Sequence, residues 1–531
     1  MTQDSIKINL SYNKGYKWFH KNGISVKGYV FTKENELLEE DNLINYFSNL
    51  LSYTEFQDKL KEINGLFSVV IKKENTLWAA VDHGRSFPLF YYCQDDFIEI
   101  TDNPDLLKED EIPMILDEDN ATVLSYSGFA PRNKTLLKKV FQIIAGESIC
   151  FENSQLTKEY HALFLTTIFS DKTREELKEE LKNILEKVGK RMVKALNNRT
   201  VAIPLSGGYD SRIIAYLLKK NNYQNVFCFT YGKKNTPELK NAEKTAKNLG
   251  YEWNFIDYEK YFDYSFVNDN AFKEYVDFAA SYSNKFYLQE YLALQELIKR
   301  KMIPEDSVFI SGHSGAIAGH LLKKEMMNDN FSFVNHAIEQ VFSLVYPRKK
   351  DLNIIRKEID FLNNYEKKYP SFLLYENWRF QETTCKLGLN SSKLWDCFYY
   401  KYMLPLWDKE LFDFFVHVPF QHKYDKNLYT EALTELFKEY DIFFPEDELF
   451  PSEELLKKVS FRSKIKKCFP FIKKFVNIWK IDYTGTQFFS KGFVEELKQS
   501  NNYRKMLSIN GIYSAWYIQE VKKKLKNNTH P

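Results

Sequence analysis

From Ile6 to about Leu165 the chain runs in short apolar stretches with strand character, among them Leu66-Phe67-Ser68-Val69-Val70-Ile71, Leu89-Phe90-Tyr91-Tyr92 and Ser148-Ile149-Cys150-Phe151. Polar turns separate them, and that rhythm predicts a β-rich domain. The pattern then changes. Thr173 with Glu176 reads as a capping box, after which Leu177, Leu181, Ile184, Leu185, Val188, Met192 and Leu196 recur at helical spacing. This predicts an amphipathic helix of about six turns. Next come the short apolar run Thr200-Val201-Ala202-Ile203-Pro204-Leu205, the loop Ser206-Gly207-Gly208-Tyr209-Asp210-Ser211, and the helix-like Arg212-Ile213-Ile214-Ala215-Tyr216-Leu217-Leu218. Val226-Phe227-Cys228-Phe229-Thr230 and Ser307-Val308-Phe309-Ile310 are further buried-strand candidates with helical stretches between them. A parallel α/β sheet is the economical reading. Beyond about Leu321 the pattern is mostly helical and rich in Phe and Tyr, and no internal repeat is visible.

Bulk properties narrow the choice. A chain of 531 residues is long for one hydrophobic core, which favours two or three domains. With 44% hydrophobic and 27% charged residues it has a globular composition. Lys plus Arg number 74 against 72 Asp plus Glu, a balance that offers no global field to attract nucleic acid. The N-terminus opens without a basic-then-apolar signal, and no apolar run approaches bilayer-spanning length, so a cytoplasmic protein is expected. The six cysteines, Cys93, Cys150, Cys228, Cys385, Cys397 and Cys468, form no C-x-x-C pair and read as reduced core residues.

The chemistry is concentrated in the glycine loop. A helix N-terminus offers unpaired N–H groups and the positive end of the helix dipole, so a glycine-rich turn feeding a helix forms an anion cradle. Gly207 and Gly208 would let the backbone approach a phosphate without a Cβ in the way. Ser206 and Ser211 add hydroxyls, and Asp210 places a carboxylate where it could hold Mg²⁺ against phosphates. The competing reading is an ordinary strand-to-helix turn, which the order Ser-Gly-Gly-x-Asp-Ser after an apolar strand argues against.

Ser206 to Ser211 match the S-G-G-x-D-S pyrophosphate loop of the asparagine synthetases and β-lactam synthetases, and the chain resembles that family at further points in the same order. Phe229-Thr230-Tyr231-Gly232, Thr236-Pro237-Glu238-Leu239-Lys240, Ala242, Ala246 and Leu249-Gly250 are similar to its second strand, Ser-Pro-Asp turn and next helix. Ser311-Gly312 resembles its third-strand S-G-E-G-x-D-E motif, Leu404-Pro405-Leu406-Trp407-Asp408 its R-x-P-F-L-D segment, and Asp425-Lys426-Asn427-Leu428 the stretch with its catalytic lysine. Asn64-Gly65-Leu66-Phe67, Asp82-His83-Gly84-Arg85-Ser86-Phe87-Pro88-Leu89 and the stretch from Thr135-Leu136 to Ala145-Gly146-Glu147 resemble its glutaminase domain.

The resemblance implies an N-terminal Ntn-hydrolase-like, β-rich α+β domain over residues 1–168, and an ATP-pyrophosphatase domain over 169–531 with a parallel sheet and a helical C-terminal part. It implies ATP and Mg²⁺ as cofactors. Ser206, Gly207, Gly208, Tyr209, Asp210, Ser211, Gly232, Ser311 and Gly312 would hold the nucleotide, with Asp210 on the metal. Lys426 and Asp210 would be catalytic. A carboxylate (a small molecule, a sugar acid or a peptide) would be activated as its acyl-adenylate with release of pyrophosphate, and ammonia or an amine would displace AMP.

The sequence also departs from the family. Thr2 stands where its glutaminases carry the nucleophilic cysteine, and their R-G-P-D and N-G-E-I-Y-N segments are not recognisable, so glutaminase activity is expected to be lost. His313 stands where the third-strand motif has Glu, and Ala316 where it has the second metal-binding Asp. Tyr429 replaces an Arg three residues beyond the lysine, and Arg212 either adds charge to the pyrophosphate site or faces solvent. Between Leu455 and Lys480 nine basic residues occur with no acidic one, interleaved with aromatics. That segment is either a solvated basic face, broken by Pro470, or a contact for an anionic membrane surface or acidic partner. These departures keep a second reading open, a non-catalytic nucleotide-binding subunit of a biosynthetic complex. A hydrolase confined to the N-terminal domain is a third. The carboxylate, the nitrogen source and the oligomeric state, a homodimer included, stay open.

Overall fold

The computed structural model describes residues 5–107, 114–234, 236–260, 264–313, 317–328, 331–342, 349–360, 368–444, 486–498 and 509–527. Thr2, Ala316, Cys468 and the basic segment 455–480 lie outside them. The N-terminal part begins with β1 (Ile6–Asn9), β2 (Phe19–Lys21), β3 (Ile24–Phe31) and β4 (Leu37–Glu39), then α1 (Glu40–Tyr46) and α2 (Tyr53–Glu62). It continues through β5 (Asn64–Lys73), β6 (Thr76–Val81), β7 (Phe90–Gln94), β8 (Phe97–Thr101), α3 (Glu118–Ser127), β9 (Val140–Gln142), β10 (Glu147–Glu152) and β11 (Gln155–Tyr160). One sheet has the order β1-β8-β7-β9; the other runs β11-β10-β6-β5-β3-β2 with β4 beside β3. Alternation along the strands explains the layers. Val70, Leu77, Ala79, Val81, Tyr91, Ile98, Ile100 and Ile149 fill the space between the sheets. Val26, Val69, Ile71, Trp78 and Ala80 pack with Leu43, Ile44, Phe56 and Leu60 of α1 and α2.

The second part opens on α4 (Arg174–Leu196), whose capping box is formed as the sequence predicts, with Thr173 and Glu176 satisfying each other's backbone N–H groups. Then follow β12 (Val201–Pro204), α5 (Tyr209–Lys220), β13 (Val226–Gly232), α6 (Pro237–Leu249), β14 (Glu252–Asp257), β15 (Val308–Ile310) and β16 (Lys401–Met403). They build a five-stranded sheet in the order β14-β13-β12-β15-β16, parallel throughout. The three expected strands are its centre. Their unbroken apolar runs reflect burial on both faces, as a parallel sheet requires. The two strands absent from the expectation lie at its edges. β14 alternates polar and apolar positions, and β16 has three residues.

Beyond β15 the described chain is helical apart from β16. The N-terminal sheets and this C-terminal part are joined by dense polar contacts. Tyr16 N–H donates to Asp396 Oδ1 at 3.0 Å, Lys409 N–H to Asn64 Oδ1 at 2.8 Å, and the Lys386 ammonium to the Ala130 and Arg132 carbonyls at 2.9 and 2.6 Å. One apolar cluster runs through both parts, from Tyr16, Phe87 and Phe90 to Trp395, Tyr402 and Trp407. Cys150, Cys228, Cys385 and Cys397 are buried free thiols and Cys93 is half-buried. Among the described residues no helix is long and apolar enough to cross a membrane.

Candidate active site

In a doubly wound sheet the crevice forms outside the carboxyl ends of the strands, where neighbours are connected in opposite directions. Here β12 is that point, with β13 on one side and β15 on the other. A cavity of about 500 Å³ opens there, a size that suits a nucleotide. Ser206, Gly208, Tyr209, Asp210, Ser211, Ser311, Gly312 and Lys426 all line it, although more than 200 residues separate the loop from the lysine.

The loop is held from within by its serines. Ser206 N–H donates to Ser211 Oγ at 3.0 Å, Ser211 O–H to the Ser206 carbonyl at 3.2 Å, and Gly208 N–H to Ser206 Oγ at 3.2 Å. α5 starts at Tyr209 with Gly208 as its N-cap and no side-chain cap. By contrast α2, α3, α4 and α6 are capped by Ser52, Asp117, Thr173 and Thr236. A 12-residue helix whose N-terminus lacks a side-chain acceptor and borders a cavity fits an anionic group such as a phosphate.

Two of the residues expected to hold the nucleotide are not in the cavity lining. Gly207 and Gly232 do not line the cavity. A Cβ on Gly207 would lie 2.7 Å from Glu238 Cα, so this glycine admits the N-terminus of α6 against the loop. Gly232 ends β13 in register with Asp257. Arg212 takes neither role proposed for it: fully buried, it donates to the Gly207 carbonyl at 2.5 Å and the Ile442 carbonyl at 3.0 Å, beneath the rings of Phe437 and Phe444. It braces the loop from behind.

Lys426 and Asp210, expected in separate roles, are an ion pair. The ammonium donates to both carboxylate oxygens, at 3.1 and 2.8 Å. Asp425 and Lys426 both have left-handed backbones, φ 53° and 60°, at the start of the helix Asn427–Phe437. Each costs roughly 1–3 kcal/mol for a residue with a side chain, so the surroundings must enforce the geometry. His313 also lines the cavity, with Nδ1 2.8 Å from Ser311 Oγ and 3.2 Å from Ser391 Oγ. Burial lowers its pKa, against the pull of the Asp210 carboxylate. Opposite lies a wall that no sequence signal singled out, Tyr287, Gln289 and Glu290. Burial pushes the Glu290 carboxyl up to about 8, although Trp395 Nε1–H donates to it at 2.6 Å. Among the described residues no three His, Cys, Asp or Glu side chains group as a metal site. The Asp210 carboxylate at the loop side of the cavity offers one oxygen of the kind that an ion such as Mg²⁺ takes.

Residues 181–279 match the asparagine synthase family model. Comparison with curated proteins finds no match. Among solved structures, the NH3-dependent NAD synthetase from Campylobacter jejuni is 14% identical with a TM-score of 0.20, over 38% of this chain and 98% of its own. The NMN synthetase from Francisella tularensis is 17% identical with a TM-score of 0.19, over 39% and 78%. The glutamine phosphoribosylpyrophosphate amidotransferase from B. subtilis is 8% identical with a TM-score of 0.19, over 63% and 72%. Nothing about substrate follows from likenesses this distant. The family match spans the Ser206–Ser211 loop with β12, β13 and β14, and over residues 181–279 the chain carries an asparagine synthase domain.

Proposed function

We propose that the chain is an ATP-dependent amide-forming ligase that activates a carboxylate as its acyl-adenylate. The observation that carries this reading is one cavity uniting an uncapped helix N-terminus, two loop serines and the Lys426–Asp210 pair. The N–H groups at the start of α5 and the Ser206 and Ser211 hydroxyls would bind the leaving pyrophosphate. Asp210 would hold Mg²⁺, which when bound neutralises phosphate charge. The substrate carboxylate attacks the α-phosphate, the bond to the β-phosphate breaks, and pyrophosphate departs. An amine or ammonia then displaces AMP. Lys426, released from Asp210 as phosphates arrive, would stabilise charge that develops at the α-phosphate. Thr2 in place of a cysteine supports loss of glutaminase activity, which leaves free ammonia or an amine as nitrogen source.

The second reading, a nucleotide-binding subunit without catalysis, is favoured by one observation: Lys426 and Asp210 already neutralise each other. The assay that separates the two is AMP and pyrophosphate formation from ATP with a metabolite extract of the native host. Asp210→Ala should weaken ATP binding and turnover together. Lys426→Ala should lower turnover about 10² to 10³-fold with little change in ATP affinity. Wild type and Lys426→Ala that both bind ATP and are equally silent would give the case to the second reading.

A further inference from the structure

The cavity wall at Tyr287, Gln289 and Glu290 follows a turn whose backbone is held from outside. The helix Asn270–Ala280 ends on Ser281 and Tyr282, both left-handed, with φ 40° and 57°. Consecutive residues with side chains keep that conformation only where the surroundings impose it, and such turns gather at functional sites. Here the surroundings act from two directions. On the C-terminal helix Ile509–Asn527, the Tyr517 hydroxyl oxygen accepts from Tyr282 N–H at 2.8 Å. Both tyrosines are buried, so a lost oxygen would leave that N–H unsatisfied. In the N-terminal part, Asp105 accepts from the Tyr282 hydroxyl at 2.5 Å, and Lys524 of the C-terminal helix ties Asp105 to Asp277 at 2.6 and 3.0 Å. The chain then follows the N-terminal part toward the cavity. Leu136 N–H donates to the Tyr282 carbonyl, Ala130 N–H to the Ser283 carbonyl and Lys285 N–H to the Gly128 carbonyl, each at 2.7 Å. Phe286 packs on the Tyr513 and Trp516 rings of the C-terminal helix, with centres 5.7 and 5.6 Å away. The next residue, Tyr287, lines the cavity.

We infer that Tyr517 is a positioning residue of the cavity, its hydroxyl fixing the left-handed turn at Ser281 and Tyr282 and, through it, the wall at Tyr287, Gln289 and Glu290. The placement of the wall follows from geometry alone, and its consequence for turnover rests on the ligase reading above. Helix, turn and wall are linked as one body, because Tyr275 on the helix Asn270–Ala280 donates its hydroxyl to the Tyr287 carbonyl at 2.5 Å. Glu290 reports where the wall stands. Trp395 Nε1–H donates to its carboxyl at 2.6 Å, and burial pushes that carboxyl up to about 8. A turn released by loss of the Tyr517 oxygen admits water to the wall, and the carboxyl then moves back toward its ordinary value of about 4.3. The titratable groups beside it, Tyr231, Tyr275 and Tyr287, are themselves pushed upward by burial and stay neutral over that range.

The test has two arms on the full chain. Infrared spectra in heavy water show the protonated carboxyl of Glu290 as a band that disappears in Glu290→Gln. In the wild type this band should fade with a midpoint near pH 8, and in Tyr517→Phe about one pH unit or more lower, with the thermal midpoint showing that the variant is folded. An unmoved midpoint, or no such band in the wild type at pH 7, overturns the proposal. The second arm compares the two ends of the cavity. Tyr517→Phe should lower AMP formation from ATP and the host metabolite extract about 10 to 10²-fold, the usual effect of a displaced wall. Its dissociation constant for magnesium pyrophosphate, read by calorimetry, should stay within about twofold of wild type, because Arg212 braces the Ser206–Ser211 loop separately. Equal losses in both, or no loss in either, overturn it. A wild type that forms no AMP fells the ligase reading, and the infrared arm then decides the positioning role by itself. Should Tyr517→Phe fail to fold, Tyr282→Phe, which removes only the bond to Asp105, serves instead. It should move the Glu290 midpoint in the same direction, and an unmoved midpoint there counts against the inference.

Discussion

The guanidinium of Arg212 stands behind the Ser206–Ser211 loop, where its donors meet the carbonyls of Gly207 and Ile442 while its central carbon lies 4.8 Å from the Phe444 ring centre. Lysine cannot reproduce this, because one compact ammonium does not fork between two carbonyls and stack at once. Arg212→Lys is therefore expected to cost about 2–3 kcal/mol of stability, the worth of a charged hydrogen bond lost in a buried place. It should also raise the ATP dissociation constant about tenfold, since Gly207 loses its brace. Urea unfolding and titration calorimetry read the two effects, and an unchanged unfolding midpoint would sink the account. None of this was legible in the sequence: Phe437, Ile442 and Phe444 lie more than 200 positions away, and a basic residue beside a phosphate loop suggests a phosphate contact first.

At the scale of elements, the site is made by close backbone approaches that glycine permits. The end of β15 runs against the first turn of α5 so tightly that a Cβ on Gly312 would lie 2.3 Å from the Asp210 carbonyl carbon and the Ser211 nitrogen. A Cβ on Gly208 would meet only Ser206 Oγ, at 3.3 Å. Gly312→Ala should then lower stability by about 1–3 kcal/mol, the usual cost of overpacking, and weaken ATP binding as α5 shifts. Gly208→Ala should weaken ATP binding while leaving the thermal midpoint close to wild type. Equal midpoints for the two variants would show that the loop yields more easily than the contacts imply. The strand, loop and helix order was legible because apolar runs, a capping box and a glycine turn are local signals. β14 was not, since a strand that alternates polar and apolar residues at a sheet edge lacks the continuous apolar run of β12 and β13. Nor was the pairing of Lys426 with Asp210, or of Ser391 with His313, because tertiary packing alone brings those residues together.

Across the whole molecule, the stretch Asp82 to Leu89, which the sequence marks only by family resemblance, fastens the N-terminal sheets to the C-terminal part. Its Asp82 carboxylate accepts from the N–H groups of Phe67, Gly84 and Ser86, shaping a turn that presents His83 to Trp407. His83 Nε2–H donates to the Trp407 carbonyl at 2.7 Å, and its ring centre lies 4.9 Å from that of Phe412. Because both sides of this junction are buried, residues 169–531 expressed alone should aggregate, whereas the full chain stays in solution; a soluble, cooperatively melting fragment would contradict this. The junction also sets a pH dependence. Burial, helped by the positive charge of Lys409, lowers the His83 pKa to about 3, while an unfolded histidine titrates near 6.5. As pH falls below about 6.5 the unfolded chain takes up a proton that the native chain refuses, so the contribution of His83 to stability is whole above that value. It is then lost toward about pH 3, at about 1.4 kcal/mol per pH unit. Asp82 works the other way, because burial pushes its carboxyl up to about 6 and the native chain holds its proton longer, so the total curve does not isolate the histidine. The difference between wild type and His83→Gln does, since glutamine can donate to Trp407 without titrating. The advantage of wild type over His83→Gln should shrink by about 2 kcal/mol between pH 6.5 and 5, followed by urea unfolding at each pH. A difference that stays flat would mean that His83 titrates alike in both states, and that water reaches the junction between the two parts of the chain.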